Sequence, residues 1–126
     1  MDVGQVFESY LWQKRVVLVF SPDQNNRSYS NQMRVFDAVQ AGMLERDIAQ
    51  WVIIENTLVT KEGGILPHVG TPKLYRHFDV STQKFTVILL GKDGEEKLRS
   101  HDVVSPEKLF ALIDSMPMRK QEMRDN

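Results

Sequence analysis

Val16-Val17-Leu18-Val19-Phe20 is an unbroken run of β-branched, aliphatic and aromatic residues. A strand turns successive side chains to opposite faces, so this run suits a central strand buried on both sides. A second run of the same kind, Trp51-Val52-Ile53-Ile54-Glu55, lies about thirty residues on. Between them, Met33, Phe36, Val39, Met43 and Leu44 fall on one helical stripe, with Arg34, Asp37, Gln40 and Glu45 facing water. Ser28 or Ser30 supplies a cap, and the helix stops around Arg46. Strand, helix and strand at this spacing predict a parallel, right-handed crossover.

The other elements follow from local patterns. Val3, Val6, Phe7, Tyr10 and Leu11 predict a short amphipathic helix that Lys14-Arg15 ends. Residues 21–28 are a loop of turn formers at the C-terminal end of the first strand. Asn56 to Gly70, broken by Gly63-Gly64 and Pro67, is either a flexible loop or a lid. Thr71-Pro72 opens a short helix through Leu74, Tyr75 and Phe78. Lys84 to Leu90 is a third strand, Lys92-Asp93-Gly94-Glu95 carries a hairpin signal, and Glu96 to His101 returns antiparallel. Ser105-Pro106 starts a helix with Leu109, Leu112, Ile113 and Met116 as its buried face. Pro117 bends or ends that helix, and residues 118–126 form a polar helical tail.

A chain of 126 residues suits one domain with a self-sufficient core. Its 16 Lys and Arg against 17 Asp and Glu leave a net charge of −1, which removes the bulk attraction that nucleic acid or an anionic membrane would need. No apolar run is long enough to span a bilayer and no basic, apolar leader stands at Met1. The expected compartment is therefore cytoplasmic, or an exported one if Met1 is the start of a trimmed chain. The absence of cysteine excludes disulfides, thiolate catalysis and cysteine-bound metal.

This order of elements is that of the α/β thioredoxin-like fold: a four-stranded mixed sheet, made of a parallel βαβ unit and an antiparallel β-hairpin, with helices on both faces. A doubly wound fold fails on the hairpin, because it needs a helix between each pair of successive parallel strands. The 21–28 loop lies where thioredoxins and peroxiredoxins carry their reactive cysteine, and here it offers Asp23, Asn25, Arg27 and Ser28. Neither thiol–disulfide exchange nor a cysteine peroxidase cycle runs on such groups. The proline that thioredoxins place before the third strand is also replaced, by Ser81-Thr82-Gln83-Lys84-Phe85.

Gly91-Lys92-Asp93-Gly94 and Ile113-Asp114-Ser115-Met116-Pro117-Met118-Arg119 carry a resemblance over nearly the whole chain. The sequence resembles a domain of unknown function, sometimes called P-DUDES. That domain is shared by small bacterial proteins and by the animal extracellular-matrix proteins equarin and the sushi-repeat-containing proteins. The resemblance implies a thioredoxin-like fold, supplies no established reaction and leans toward binding. It also implies export for many bacterial relatives.

Alternation along the fourth strand sends Lys97, Arg99 and His101 to one face, a stripe able to hold an anion or simply a solvated edge. Arg99 has a structural alternative, a pair with Asp114 or Glu122. Arg27 and the helix start after it favour an anion, while Asp23 and Asn25 also suit plain turns and Ser28 has no base nearby. His68, His77 and His101 show no metal-ligand spacing. Met118 and Arg119 belong to a Met-Pro-Met-Arg segment that suits either an adaptable contact surface or a fixed bend. The sequence therefore reads as a single, redox-inactive domain over residues 1–126, without cofactor or metal. It binds a protein partner or a small anionic ligand through Asp23, Asn25, Arg27, Ser28, Lys97, Arg99, Met118 and Arg119. The alternative is an enzyme of thiol-independent chemistry with its site in the 21–28 loop. Oligomeric state is open, a homodimer being one option.

Overall fold

The computed structural model describes residues 7–54, 57–60 and 71–125. Strands β1 (Arg15–Ser21), β2 (Ile48–Ile54), β3 (Thr57–Thr60), β4 (Thr86–Leu90) and β5 (Glu96–Ser100) form one mixed sheet in the order β3-β2-β1-β4-β5. β1 and β2 run parallel, and the β2–β3, β1–β4 and β4–β5 pairs are antiparallel. The βαβ unit and the hairpin are therefore both present, with the order and directions expected from the sequence. The sheet gains a fifth, short strand at residues 57–60, inside the stretch read as a loop or lid. Residues 61–70, with Gly63-Gly64, Pro67 and His68, lie outside the described residues, as do Val3 and Val6.

The helices are α1 (Arg27–Asp37), α2 (Gln40–Glu45), α3 (Thr71–His77), α4 (Pro106–Asp114) and α5 (Pro117–Arg124). Asn26, not a serine, caps α1, its side chain accepting from Tyr29 N at 3.0 Å. The single helix expected as far as Arg46 is two helices, broken at Ala38 and Val39. The Gln40 amide donates to Phe36 O at 2.9 Å and accepts from Gln50 Nε2 at 3.0 Å, so a polar side chain stitches the break. The break shifts the phase of the second piece, which leaves Leu44 exposed rather than on the buried stripe. At the start of the chain Phe7 and Glu8 are helical, and turns rather than a continued helix carry residues 9–13.

Each face of β1 has its own core, as its unbroken apolar run requires. Val16, Leu18 and Phe20 pack with Trp51, Ile88 and the α3-side residues Leu74, Tyr75 and Phe78. Val17 and Val19 pack with Phe36 of α1, Met43 of α2 and Leu109 and Ile113 of α4. Full burial of each such side chain contributes about 1.5–3 kcal/mol. Two polar groups are built into these layers with their bonds made. Trp51 Nε1 donates to Tyr10 Oη at 3.2 Å. The fully buried Gln32 amide donates to Val104 O at 2.8 Å and accepts from Val104 N at 2.7 Å, tying α1 to the approach to α4.

Candidate functional site

Ionised side chains gather at the end of the sheet where β1 and β2 begin. Arg15 opens β1, Arg46 and Asp47 close the turn into β2, and Lys92 occupies the β4–β5 turn. Arg15 is 1% exposed, its two terminal nitrogens each lie 3.2 Å from a Glu122 oxygen, and one also donates to Arg46 O at 2.9 Å. Lys92 Nζ lies 2.8 Å from Glu122 Oε2 and 2.9 Å from Asp47 Oδ2. Asp114 accepts from Arg46 Nη2 at 2.9 Å and from Arg119 Nε at 3.0 Å, and Arg119 Nη2 reaches Glu45 Oε2 at 3.0 Å.

These contacts decide where α5 sits. Arg119 is the buried residue of that helix, so α5 is attached by charge more than by apolar packing. Buried ion pairs gain little over apolar contacts of the same shape, but their directional bonds fix one arrangement. The Arg46 hydrogen bond, with help from Arg119, holds the Asp114 carboxyl below its ordinary range against the cost of burial. Burial pushes the Glu122 carboxyl up, and the bonds and charges of Arg15 and Lys92 outweigh it, leaving Glu122 below its ordinary range.

A cleft of about 500 Å³ opens beside this cluster, between the β4–β5 turn and the α4–α5 junction. Trp12, Leu112, Met116, Pro117 and Met118 supply its apolar surface. Trp12 stands 61% exposed, held in the left-handed region (φ 66°) while its N–H donates to Lys92 O at 2.7 Å. Arg15, Lys92, Lys97 and Asp93 supply the charge. Lys97 Nζ lies 2.9 Å from Asp93 Oδ2, a bond that raises the Lys97 pKa. Burial raises the Asp93 pKa, and the Lys97 bond and charge together with backbone N–H bonds, that of Glu95 foremost, outweigh it, leaving Asp93 below its ordinary range. The Lys97 stem lies against Gly91, where a Cβ would come within 2.7 Å of Lys97 Cε. Met116, extended at φ −77° and ψ 143°, starts α5 without a side-chain cap. Lys92, Lys97 and Asp93 are the reactive side-chain types in the described lining, which carries no hydroxyl, thiol or imidazole.

A family model described as Domain of unknown function (DUF4174) matches residues 6–122. The chain belongs to the DUF4174 family. Its DUF4174 sequence is 29% identical to human sushi repeat-containing protein SRPX (Homo sapiens) over 94% of this chain and 26% of that protein. It is 25% identical to human SRPX2 (Homo sapiens) over 94% of the chain and 26% of that protein. It is 24% identical to zebrafish (Danio rerio) coiled-coil domain-containing protein 80 over 97% of the chain and 16% of that protein. The chain thus spans about a quarter or less of these relatives' length. No solved structure matches it.

Within this DUF4174 chain, the residues singled out from sequence do not form one surface. Asp23, Asn25, Arg27 and Ser28 lie past the C-terminal end of β1, while the cleft lies at its N-terminal end, about 20 Å away at 3.3 Å per residue. The loop bonds to itself: Asp23 Oδ1 accepts from Asn25 N at 2.8 Å and Ser21 Oγ donates to Asp23 O at 2.7 Å. Lys97 and Met118 both line the cleft.

Lys97 and Arg99 do not share a face. Leu89 pairs with Leu98 and Leu90 with Glu96, so Lys97 is the extra residue of a β-bulge that resets the alternation. Arg99 accordingly bonds Glu96, three residues away, at 2.8 Å, and also the carbonyls of Phe78 and Asp79 on the α3 side. It pairs with neither Asp114 nor Glu122. Arg119 is 4% exposed within the ion cluster instead of fringing a surface, and it anchors what reads in sequence as a polar tail. His101 Nδ1 lies 3.2 Å from Thr86 Oγ1, and His77 meets Phe78 edge-on. Sequence reasoning did not single out Trp12, Arg15 and Lys92, which line the cleft. The signal was there in Gly91-Lys92-Asp93-Gly94 and Met116-Pro117-Met118, two motifs that turn out to line one cleft. Among the described residues, no helix is long and apolar enough to cross a membrane.

Proposed function

We propose that this DUF4174 chain is a redox-inactive, thioredoxin-like, non-catalytic binding module whose ligand, a protein segment or a small anion, seats in the cleft between the β4–β5 turn and the α4–α5 junction. The observation that carries the reading is the cleft's construction. An exposed tryptophan and a half-exposed methionine border it, and a bonded ion cluster fixes its walls. Tryptophan and methionine give large, adaptable contact area, as binding surfaces use them. The lack of cysteine supports the redox-inactive part.

Thermal unfolding against a panel of carboxylates, phosphates, sulfated sugars and nucleotides tests it. A ligand at about 100 times its Kd adds roughly 2.7 kcal/mol, a rise of several degrees. The expected rise disappears in Trp12→Ala and Met118→Ala and persists in Asp23→Asn. A rise lost in Asp23→Asn and kept in the cleft variants would move the site to the 21–28 loop.

A further inference from the structure

We infer that the cleft recognises a singly charged carboxylate carried on an apolar body, with Lys97 and the first turn of α5 taking the carboxylate and Trp12 and Met118 clasping the body. The inference rests on the cleft being the binding site and adds the chemistry of what enters it.

Several observations set the charge. Three of the four ionisable lining residues are cations, Arg15, Lys92 and Lys97, against Asp93. Arg15 and Lys92 already serve Glu122 and Asp47 in buried contacts, whereas the Lys97 side chain is 28% exposed and paired with the partly exposed Asp93 and, at 3.4 Å, with the exposed Glu95. Lys97 is therefore the cation that can exchange its partner at little cost, since solvent-screened pairs contribute little to stability. The first-turn N–H groups of an α-helix lack intrahelical acceptors, and Met116 leaves those of α5 without a side-chain cap. Arg15, lining the same cleft, keeps a buried Nε without an acceptor. Asp93 disfavours a dianion such as phosphate. The apolar walls require a hydrocarbon body, and about 500 Å³ is the size of a small-ligand pocket.

Trp12 reports occupancy, because Trp51, the other tryptophan, is fully buried. The full chain is titrated with hexanoate, 1-hexanol and hexylammonium while tryptophan emission is followed, and the amide shifts of Met118 and Arg119 are recorded by NMR. Hexanoate is expected to blue-shift the emission saturably, to half-saturate at least ten-fold below the other two, and to move both amides. Lys97→Gln, at a half-exposed position outside the core, is expected to abolish the preference of hexanoate over hexanol.

Equal half-saturation for hexanoate and hexanol would overturn the carboxylate assignment and leave the cleft as a binding site. No response to any of the three would overturn both. Retention of the preference in Lys97→Gln would overturn the role given to Lys97. A peptide ending in Leu with a free carboxylate, set against its C-terminal amide, identifies the source. Tighter binding of the free peptide than of hexanoate assigns a polypeptide terminus, and weaker binding assigns a small acid.

Discussion

Lys92 and Glu122, thirty residues apart, meet at 2.8 Å and join the β4–β5 turn to the last helix. The same Glu122 carboxylate receives Arg15 from the start of β1. One acidic side chain thus ties the last helix to the start of β1 and to the β4–β5 turn.

Glu122→Ala should therefore be costly for a residue near the end of the chain. It leaves the Arg15 guanidinium, 1% exposed, and the Lys92 ammonium, 8% exposed, without their shared counter-charge. Breaking a buried pair from one side costs about 3 kcal/mol, which lowers Tm by about 10 °C in a domain of this size. Calorimetry on the wild type and the variant measures it directly. Glu122→Gln, which keeps a hydrogen-bond acceptor, should lose less.

Acid should weaken the same contacts. Asp114 and Glu122 sit below the ordinary carboxyl range in the folded chain, so the unfolded chain binds more protons as pH falls. The stability they contribute is complete above the unfolded carboxyl values, near pH 4, and is lost as pH drops through the depressed folded ones. Urea midpoints measured from pH 7 to pH 3 should fall on the acid side, and more shallowly in Glu122→Gln.

Two glycines of the hairpin turn should respond differently to alanine. Gly94 has φ 83°, and a Cβ there would lie 2.9 Å from Leu11 Cδ2, so Gly94→Ala pays left-handed strain of about 1–2 kcal/mol. At Gly91 the new methyl meets the movable Lys97 and Asp93 side chains, so Gly91→Ala should displace Lys97 from the cleft wall with a smaller loss of stability. Urea denaturation gives both stabilities, and the hexanoate titration reads the displacement.

Gln32→Leu tests the amide buried between α1 and the strand of chain before α4. The substitution nearly preserves volume but leaves Val104 N–H and C=O without their partner at a fully buried site. Unsatisfied buried groups cost about 1–3 kcal/mol each, so a loss of about 2–4 kcal/mol is expected in urea titrations.

What the sequence made legible was what neighbouring residues decide. The apolar run at 16–20, the Asp93-Gly94 turn, the Ser105 cap and the bend at Pro117 all stand in the structure as expected. Ser105 Oγ accepts from Lys108 N at 3.2 Å, as a capping serine should. The errors arise where distant residues intervene. The helix break at Val39 is stabilised by Gln50 on β2 through Gln40, which no helical period reveals. One inserted residue at Lys97 was enough to invalidate the reading of a cationic stripe, because strand alternation has a period of two. Arg15 and Glu122 are separated by 107 positions, so their pairing exists only once the sheet and α5 are in place.

The bulge at Lys97 also bears on how molecules meet one another. β5 is an outer strand, and an interrupted row of amides and carbonyls is a poor template for a strand from a second chain. Deleting Lys97 would restore an even pleat and hand the molecule a continuous edge, with Leu98 still opposite Leu89 and Glu96 opposite Leu90. The change would then register as fibres or precipitate at high concentration before it registered as a loss of fold.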